Sequence, residues 1–209
     1  VFTFEEFSEN FEWSKVNTVG PIFNLDKLNW LNGHYIRELE PRDFAARILP
    51  FLVADGVLPE QPSLPQLGRL NLVAELIQTR INLLSEATPL VAPFFTDDAE
   101  LPIADDARAQ LKETAAQVLD AAIAALEPIS GSLGKPDGTG IEWVHERIEA
   151  ALREAVVDGL GIKPKFAFGP LRTAVSGQRI SPPLFESMEL LGRESSLARL
   201  NAARAAVGD

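Results

Sequence analysis

Apolar positions recur along most of the chain at spacings of three and four, the period of a helix with one buried face. Thr3 and Glu6 have the spacing of a capping box ahead of Phe7 and Phe11. After a loop with Gly20-Pro21, Asn24 can cap a helix carrying Leu28, Leu31 and Tyr35 on one face. Pro41 suits the first turn of the next helix, with Phe44, Ile48 and Phe51 inward and Gly56 as the stop. Ser63 caps a longer helix on which Leu67, Leu70, Ala74, Ile77, Ile81 and Leu84 keep register. Pro89 and Pro93 break the pattern around a short apolar piece. One alanine-rich stripe then runs from Ile103 to Glu127 through Leu111, Ala115, Val118, Ala122 and Leu126, and Pro128 ends it.

Ser130 to Gly138 reads as a flexible loop. A helix from about Glu142 to Asp158 turns Val144, Ile148, Leu152 and Ala155 inward, and Gly159 and Gly161 close it. A short helix holds Leu171 and Val175 and stops at Gly177. Ser181 with Pro182 opens another, carrying Leu184, Met188 and Leu191 as far as Gly192. The last helix runs from about Glu194 to Val207. No stretch alternates over more than a few residues and no internal repeat is evident, so the expected fold class is all-α.

The 209 residues, 46% apolar and 23% charged, suffice for one large domain or two small ones with a real core. No run of eighteen apolar residues occurs, which argues against a transmembrane helix. The start, Val1-Phe2-Thr3-Phe4-Glu5-Glu6, lacks the basic-then-apolar order of a signal peptide. It also lacks a starting Met, which suggests a piece of a longer chain. Absence of cysteine excludes disulfides, Cys-based zinc sites, iron–sulfur clusters and thiol catalysis. Two histidines, His34 and His145, leave little for a His-based metal site.

A net charge of −11 argues, taken whole, against a nucleic-acid binder. The distribution changes that picture. Residues 160–185 hold Lys163, Lys165, Arg172 and Arg179 and no acid, a stretch that can concentrate anion binding or be a solvated face.

Self-contained chemistry is missing. Gly131-Ser132-Leu133-Gly134-Lys135 is too short for a phosphate loop, and Pro136 stands where Ser or Thr would hold magnesium. No Gly-x-Ser-x-Gly elbow occurs. His145 and Glu146 are helix neighbours expected to point apart, with no second His at the zinc spacing. Asp97-Asp98 and Asp105-Asp106 read as a weak cation site or as acids at helix starts.

Two stretches carry more. One is Phe23-Asn24-Leu25-Asp26-Lys27-Leu28-Asn29-Trp30-Leu31-Asn32-Gly33-His34-Tyr35-Ile36-Arg37. The other is Gly169-Pro170-Leu171-Arg172-Thr173-Ala174-Val175-Ser176-Gly177, leading to Ser181-Pro182-Pro183-Leu184-Phe185-Glu186 and Leu190-Leu191-Gly192. Both resemble bacterial glutamyl-tRNA synthetases, and Glu142-Trp143 with Arg153 between them fits the same pattern. The likeness runs in order from Phe2 to near Leu200. The resemblance implies a C-terminal half: residues 1–40 as the end of a stem-contact region, 41–93 and 94–209 as two helical anticodon-binding subdomains. The family's His-x-Gly-His and Lys-x-Ser-Lys type motifs are not in this sequence. The resemblance therefore implies no catalytic residue, metal site or cofactor here. ATP with magnesium would belong to the other half of a parent that joins glutamate to its tRNA. It further implies tRNA(Glu) as partner, a monomer, no membrane and a cytoplasmic location.

Residue by residue, it implies anticodon contacts at Arg80, Arg153, Arg172, Ser181, Pro182 and Leu184, and stem contacts at Lys27, Trp30 and Arg37. RNA is read by sequence mainly at unstacked bases, so a reader needs donors, a stacking plane and positive charge. The Arg172 guanidinium supplies stacking and a fork of donors, Ser181 a hydroxyl, and Pro182 and Leu184 an apolar surface. Where some family members carry a polar side chain, Gly169 offers only backbone. The plain readings stand beside these: core packing for Leu184 and Trp30, a surface arginine for Arg80, and an Arg153 paired with Glu149. A helical protein–protein module is the alternative for the whole chain.

Overall fold

The computed structural model describes residues 2–16, 20, 23–111, 114–129 and 143–207, and all regular elements among them are helical. Helix α1 (Phe4–Asn10) begins with the expected capping box: Thr3 Oγ1 accepts from the Glu6 N–H, and the Glu6 carboxylate accepts from the Thr3 N–H. None of its residues is buried. Its rings meet their neighbours in sequence instead, Phe7 tilted against Phe11 at 5.4 Å and Phe11 edge-on to Trp13 at 5.1 Å.

Helix α2 (Leu25–Glu38) is capped by Asn24, whose side chain accepts from the Lys27 N–H at 2.9 Å. The buried residues are Gly33 and Ile36, not the expected Leu28 and Tyr35, which are exposed. The reason is the location of its neighbour. Gln78 Nε2 donates to the carbonyls of Ile36 (2.8 Å) and Leu39 (2.7 Å), so the C-terminal half docks and the apolar stripe does not.

Helix α3 (Pro41–Ala54) buries Phe44, Ala45, Ile48 and Leu52. Phe51, expected inward, is exposed because strict four-residue steps from Phe44 select Leu52. Helix α4 (Leu64–Ile77) opens with a Ser63/Gln66 capping box and buries Leu70, Val73, Ala74 and Ile77. A 3-10 turn, Gln78–Arg80, follows, so Arg80 lies just outside the helix. Helix α5 (Ala87–Val91) and the turn Ala92–Phe94 pack on α3 and α4 through Ala87, Leu90, Val91 and Phe94.

The single helix expected from Ile103 to Glu127 is divided into α6 (Asp105–Arg108) and α7 (Ala115–Leu126). The Ala104 N–H bonds the Gly177 carbonyl at 2.8 Å and Thr173 Oγ1 donates to the Ala107 carbonyl, which holds α6 elsewhere. The expected stripe on α7 is buried as read, with Leu119 added. The expected loop at 130–138 and the helix start at Glu142 lie outside the described residues. Helix α8 (His145–Leu152) widens into a π-helical stretch, Arg153–Asp158, burying Ile148, Leu152 and Val156 while Ala155 is half-buried. Helix α9 (Pro164–Ser176) is longer than expected because Pro164 starts it and Pro170 is accommodated inside. Gly177 ends it at φ +70°, where a Cβ would meet the Pro102 carbonyl. Helix α10 (Leu184–Leu191) buries Leu184, Met188 and Leu191, and α11 (Arg193–Val207) packs across α7 and α9.

Arg199 on α11 is 3% exposed. It donates to Asp98 Oδ1 (2.6 Å) and to the carbonyls of Val175 (2.8 Å), Pro93 (2.9 Å) and Thr96 (3.2 Å). One guanidinium thus joins the α5 side to α9 and α11. No helix among the described residues is long and apolar enough to cross a membrane.

Candidate functional site

Arg80 leaves its 3-10 turn and Arg172 leaves the third turn of α9, and both reach the segment that links α9 to α10. Arg80 Nη1 donates to the Ser181 carbonyl at 3.5 Å, and Arg172 Nη1 to the Pro182 carbonyl at 3.4 Å. Two guanidiniums therefore rest on adjacent main-chain oxygens. Burial, and after it the charge of Arg80, hold Arg172 below the usual guanidinium range, while Glu186 opposes this. An arginine stays charged under such a shift. Each guanidinium has five N–H donors and makes one protein bond among the described residues, so both keep donors for a ligand.

The side chains of Ser181, Pro182 and Leu184 sit lower. Ser181 is buried, with its hydroxyl donating to the Pro182 carbonyl at 3.1 Å. Pro182 is buried as well, and Leu184 belongs to the core. The expected hydroxyl and apolar surface are thus not on display. The segment presents its carbonyls to the arginines because its side chains complete the packing between α9 and α10.

Arg153 opens the π-helical stretch and is held by Glu149, Nε at 2.7 Å and Nη2 at 2.6 Å from Oε1. Its guanidinium also lies over the Phe168 ring at 5.5 Å. Phe168 meets Phe185 edge-on at 5.4 Å. Phe168 and Arg172 are one turn apart on α9, so this aromatic pair lies between Arg153 and the arginine pair. Gly169, on the same helix, is covered by the Gln110 side chain, which occupies the space a Cβ would need.

The stretch without acids in sequence is not without acids in space. Asp106 pairs with Arg179 at 3.2 Å, and Glu186 acts on Arg172. Lys163 and Lys165 are exposed at the start of α9, with no ion pair among the described residues. Lys27, Trp30 and Arg37 lie exposed along α2. Trp30 is 56% exposed and stacks on His34, so it is not a core residue. Gln78, two residues before Arg80, ties the end of α2 to this turn. Sequence reasoning missed Gln78 because a glutamine inside an apolar run has no pattern of its own.

Three of the four paired acids are taken by arginines, Asp98 by Arg199, Asp105 by Arg108 at 3.4 Å and Asp106 by Arg179, while Asp97 accepts from the Ala99 N–H. No group of metal-ligating side chains occurs among the described residues. His145 does reach its neighbour, Nε2 lying 3.3 Å from Glu146, and Nδ1 bonds Glu189 Oε2 at 2.6 Å. That bond to Glu189 is the main cause raising its pKa above 6.5.

Residues 43–204 match the model of the anticodon binding domain family. The chain belongs to that family. The arginine pair, Arg153 and the α9–α10 link of this anticodon-binding domain all fall inside the matched range, whereas Lys27, Trp30 and Arg37 precede it. The chain is 49% identical over 205 residues to the glutamate–tRNA ligase of Kineococcus radiotolerans, covering 98% of this chain and 39% of that protein. It is 49% identical to the ligase of Kocuria rhizophila, covering 98% and 38%. It therefore spans about two fifths of the length of these curated relatives. The fold is shared with a crystal structure of a glutamate tRNA ligase from Elizabethkingia meningosepticum in complex with its amino acid, at a TM-score of 0.68 and 18% identity over 97% of this chain and 36% of that one.

Proposed function

We propose that this chain recognises the anticodon of tRNA(Glu) as the noncatalytic part of a glutamate–tRNA ligase. The observation that carries the reading is the convergence of Arg80 and Arg172 on adjacent carbonyls inside the matched family range. Two planar cations with unused donors suit unstacked bases, offering stacking and hydrogen bonds to ring and carbonyl acceptors. Arg153 over Phe168 adds a third guanidinium, and Lys163 and Lys165 supply phosphate contacts that position without specifying.

On this reading residues 1–40 belong to a stem-contact region that uses Lys27, Trp30 and Arg37. Residues 41–93 and 94–209 are two helical subdomains. The protein acts as a monomer in the cytoplasm. On the same reading, ATP with magnesium belongs outside this chain, whose sequence lacks a phosphate loop. ATP chemistry is assigned to the remaining length of the relatives, and no step of it is carried by this chain.

The test is fluorescence anisotropy of labelled tRNA(Glu) and of a tRNA with an unrelated anticodon, at two salt concentrations. Tighter binding of tRNA(Glu), weakening with salt for both, is expected. Equal binding of the two overturns anticodon recognition, and no binding favours a protein–protein module.

A further inference from the structure

The segment from Gly177 to Pro183 does more than connect α9 to α10. It is fastened on two sides. Toward α6, the Gly177 carbonyl accepts from the Ala104 N–H at 2.8 Å, and Arg179 Nε bonds Asp106 at 3.2 Å. Toward the N-terminal helices, Gln178 Nε2 donates to the Pro89 carbonyl at 2.6 Å, and Arg80 donates to the Ser181 carbonyl. The Gln178 N–H is itself held by Ser176 Oγ at 3.2 Å, and that hydroxyl donates to the Arg172 carbonyl at 2.8 Å. A chain of bonds therefore runs from the Arg172 backbone through Ser176 and Gln178 to Pro89 on α5, which follows the Arg80 turn in the chain and packs against α4.

We propose that Gln178 is a positioning residue that sets the spacing of the Arg80 and Arg172 guanidiniums, and through it the choice among anticodon bases. The proposal rests on the anticodon reading above. Arg172 rides on α9, and Arg80 follows α4. The bond from Gln178 to Pro89 closes the distance between these two bodies beside the site. Loosening it leaves both charges in place, so attraction to phosphates persists. What changes is the match between two sets of donors and two acceptors on a base or on adjacent bases. Specificity falls while nonspecific affinity does not.

The test uses the full chain and RNA hairpins with seven-nucleotide loops, one carrying the glutamate anticodon CUC and others changed at one anticodon base. Kd is measured for each at one salt concentration, with thermal unfolding alongside. Gln178→Met keeps the length and removes the donor. It should cut the ratio of Kd values between changed and matched hairpins about three- to tenfold, the range of one lost hydrogen bond. Kd for the changed hairpins should stay the same. Gln178→Lys, which restores a donor at similar reach, should recover the ratio. Arg179→Ala, which cuts the neighbouring tie to Asp106, should leave it unchanged. An unchanged ratio in Gln178→Met overturns the proposal, and so does equal weakening on all hairpins. If Gln178→Met melts lower, recovery of the melting temperature in Gln178→Lys without recovery of the ratio also overturns it. Absence of any preference in the unsubstituted chain defeats the anticodon reading itself, an outcome distinct from the others.

Discussion

Two regions of this chain treat apolar residues in opposite ways. Along α1 and α2 the described segment exposes Phe2, Phe4, Phe7, Phe11, Trp13, Leu28, Trp30 and Tyr35, and only Gly33 and Ile36 are buried. From α7 to α11 nearly every apolar side chain at helical spacing is enclosed, with Val118, Leu119, Leu126, Ile148, Leu152, Leu171 and Met188 fully covered. Both regions carry clear helix starts: the Thr3 and Asn24 caps are as well made as any downstream. Local hydrogen bonding and periodicity make a helix. Burial needs a second surface of matching shape, which α7 finds in α11, α8 and α9, whereas among the described residues none of α1 is buried.

The contrast is sharpest where a polar group is buried among the packed helices. Arg199→Ala removes one cation and leaves Asp98 and three carbonyls without their donor. The loss should be about 3–5 kcal/mol, read as the free energy of denaturant unfolding. Leu119→Ala, at a fully covered position of α7, should cost about 2–5 kcal/mol in the same measurement. A cost below about 1 kcal/mol there would mean that the packed region collapses onto cavities more freely than its enclosure implies.

Arg172→Ala probes the boundary between packing and binding. Its binding of glutamate tRNA should weaken by about 1–3 kcal/mol, as for the loss of a base-stacking group. Helix α9 should persist in circular dichroism, since alanine favours helix more than arginine does. At the other extreme, Trp30→Ala should change unfolding free energy by no more than about 0.5 kcal/mol, because its ring rests mostly on His34 and solvent. A larger cost would show that the N-terminal half of α2 has a packing partner as its C-terminal half does.

The smallest effect concerns His145. Its pKa is raised by the bond to Glu189, so the protonated form is the one that folding favours. Its stabilising contribution is complete below the unfolded value of 6.5 and is lost as pH rises through the higher folded value. The melting temperature should drift down over that window, and Glu189→Gln should shrink the drift, leaving only the smaller contributions of Glu146 and Glu186.

These differences also mark what sequence could and could not disclose. The α4 stripe as far as Ile77, the α10 trio of Leu184, Met188 and Leu191, the Thr3 capping box and the Ser63 cap were legible because each is set by neighbours close in sequence, whereas the expected continuation of α4 to Ile81 and Leu84 stops at Ile77. The face of α2 was not, since a glutamine forty-odd residues away selects it. Nor was the division of α6 from α7, which depends on a carbonyl at Gly177. At the site, Arg80 stood out only through resemblance to a family, Arg172 also through the acid-free basic stretch around it, and their meeting needed the fold. Arg199 was invisible: most of its partners are main-chain oxygens of segments distant in sequence, which no residue type announces.

The two arginines of the site rest on oxygens of the same kind, and this has a consequence for the historical record. Every amino acid brings a carbonyl, so the acceptors at 181 and 182 can persist while the letters there drift. A comparison of related sequences would register the donors and pass over the acceptors, and a side-chain scan would do the same. The contact becomes visible only to chemistry that edits the backbone, such as replacing the amide bond after residue 181 with an ester and so weakening the oxygen that Arg80 holds.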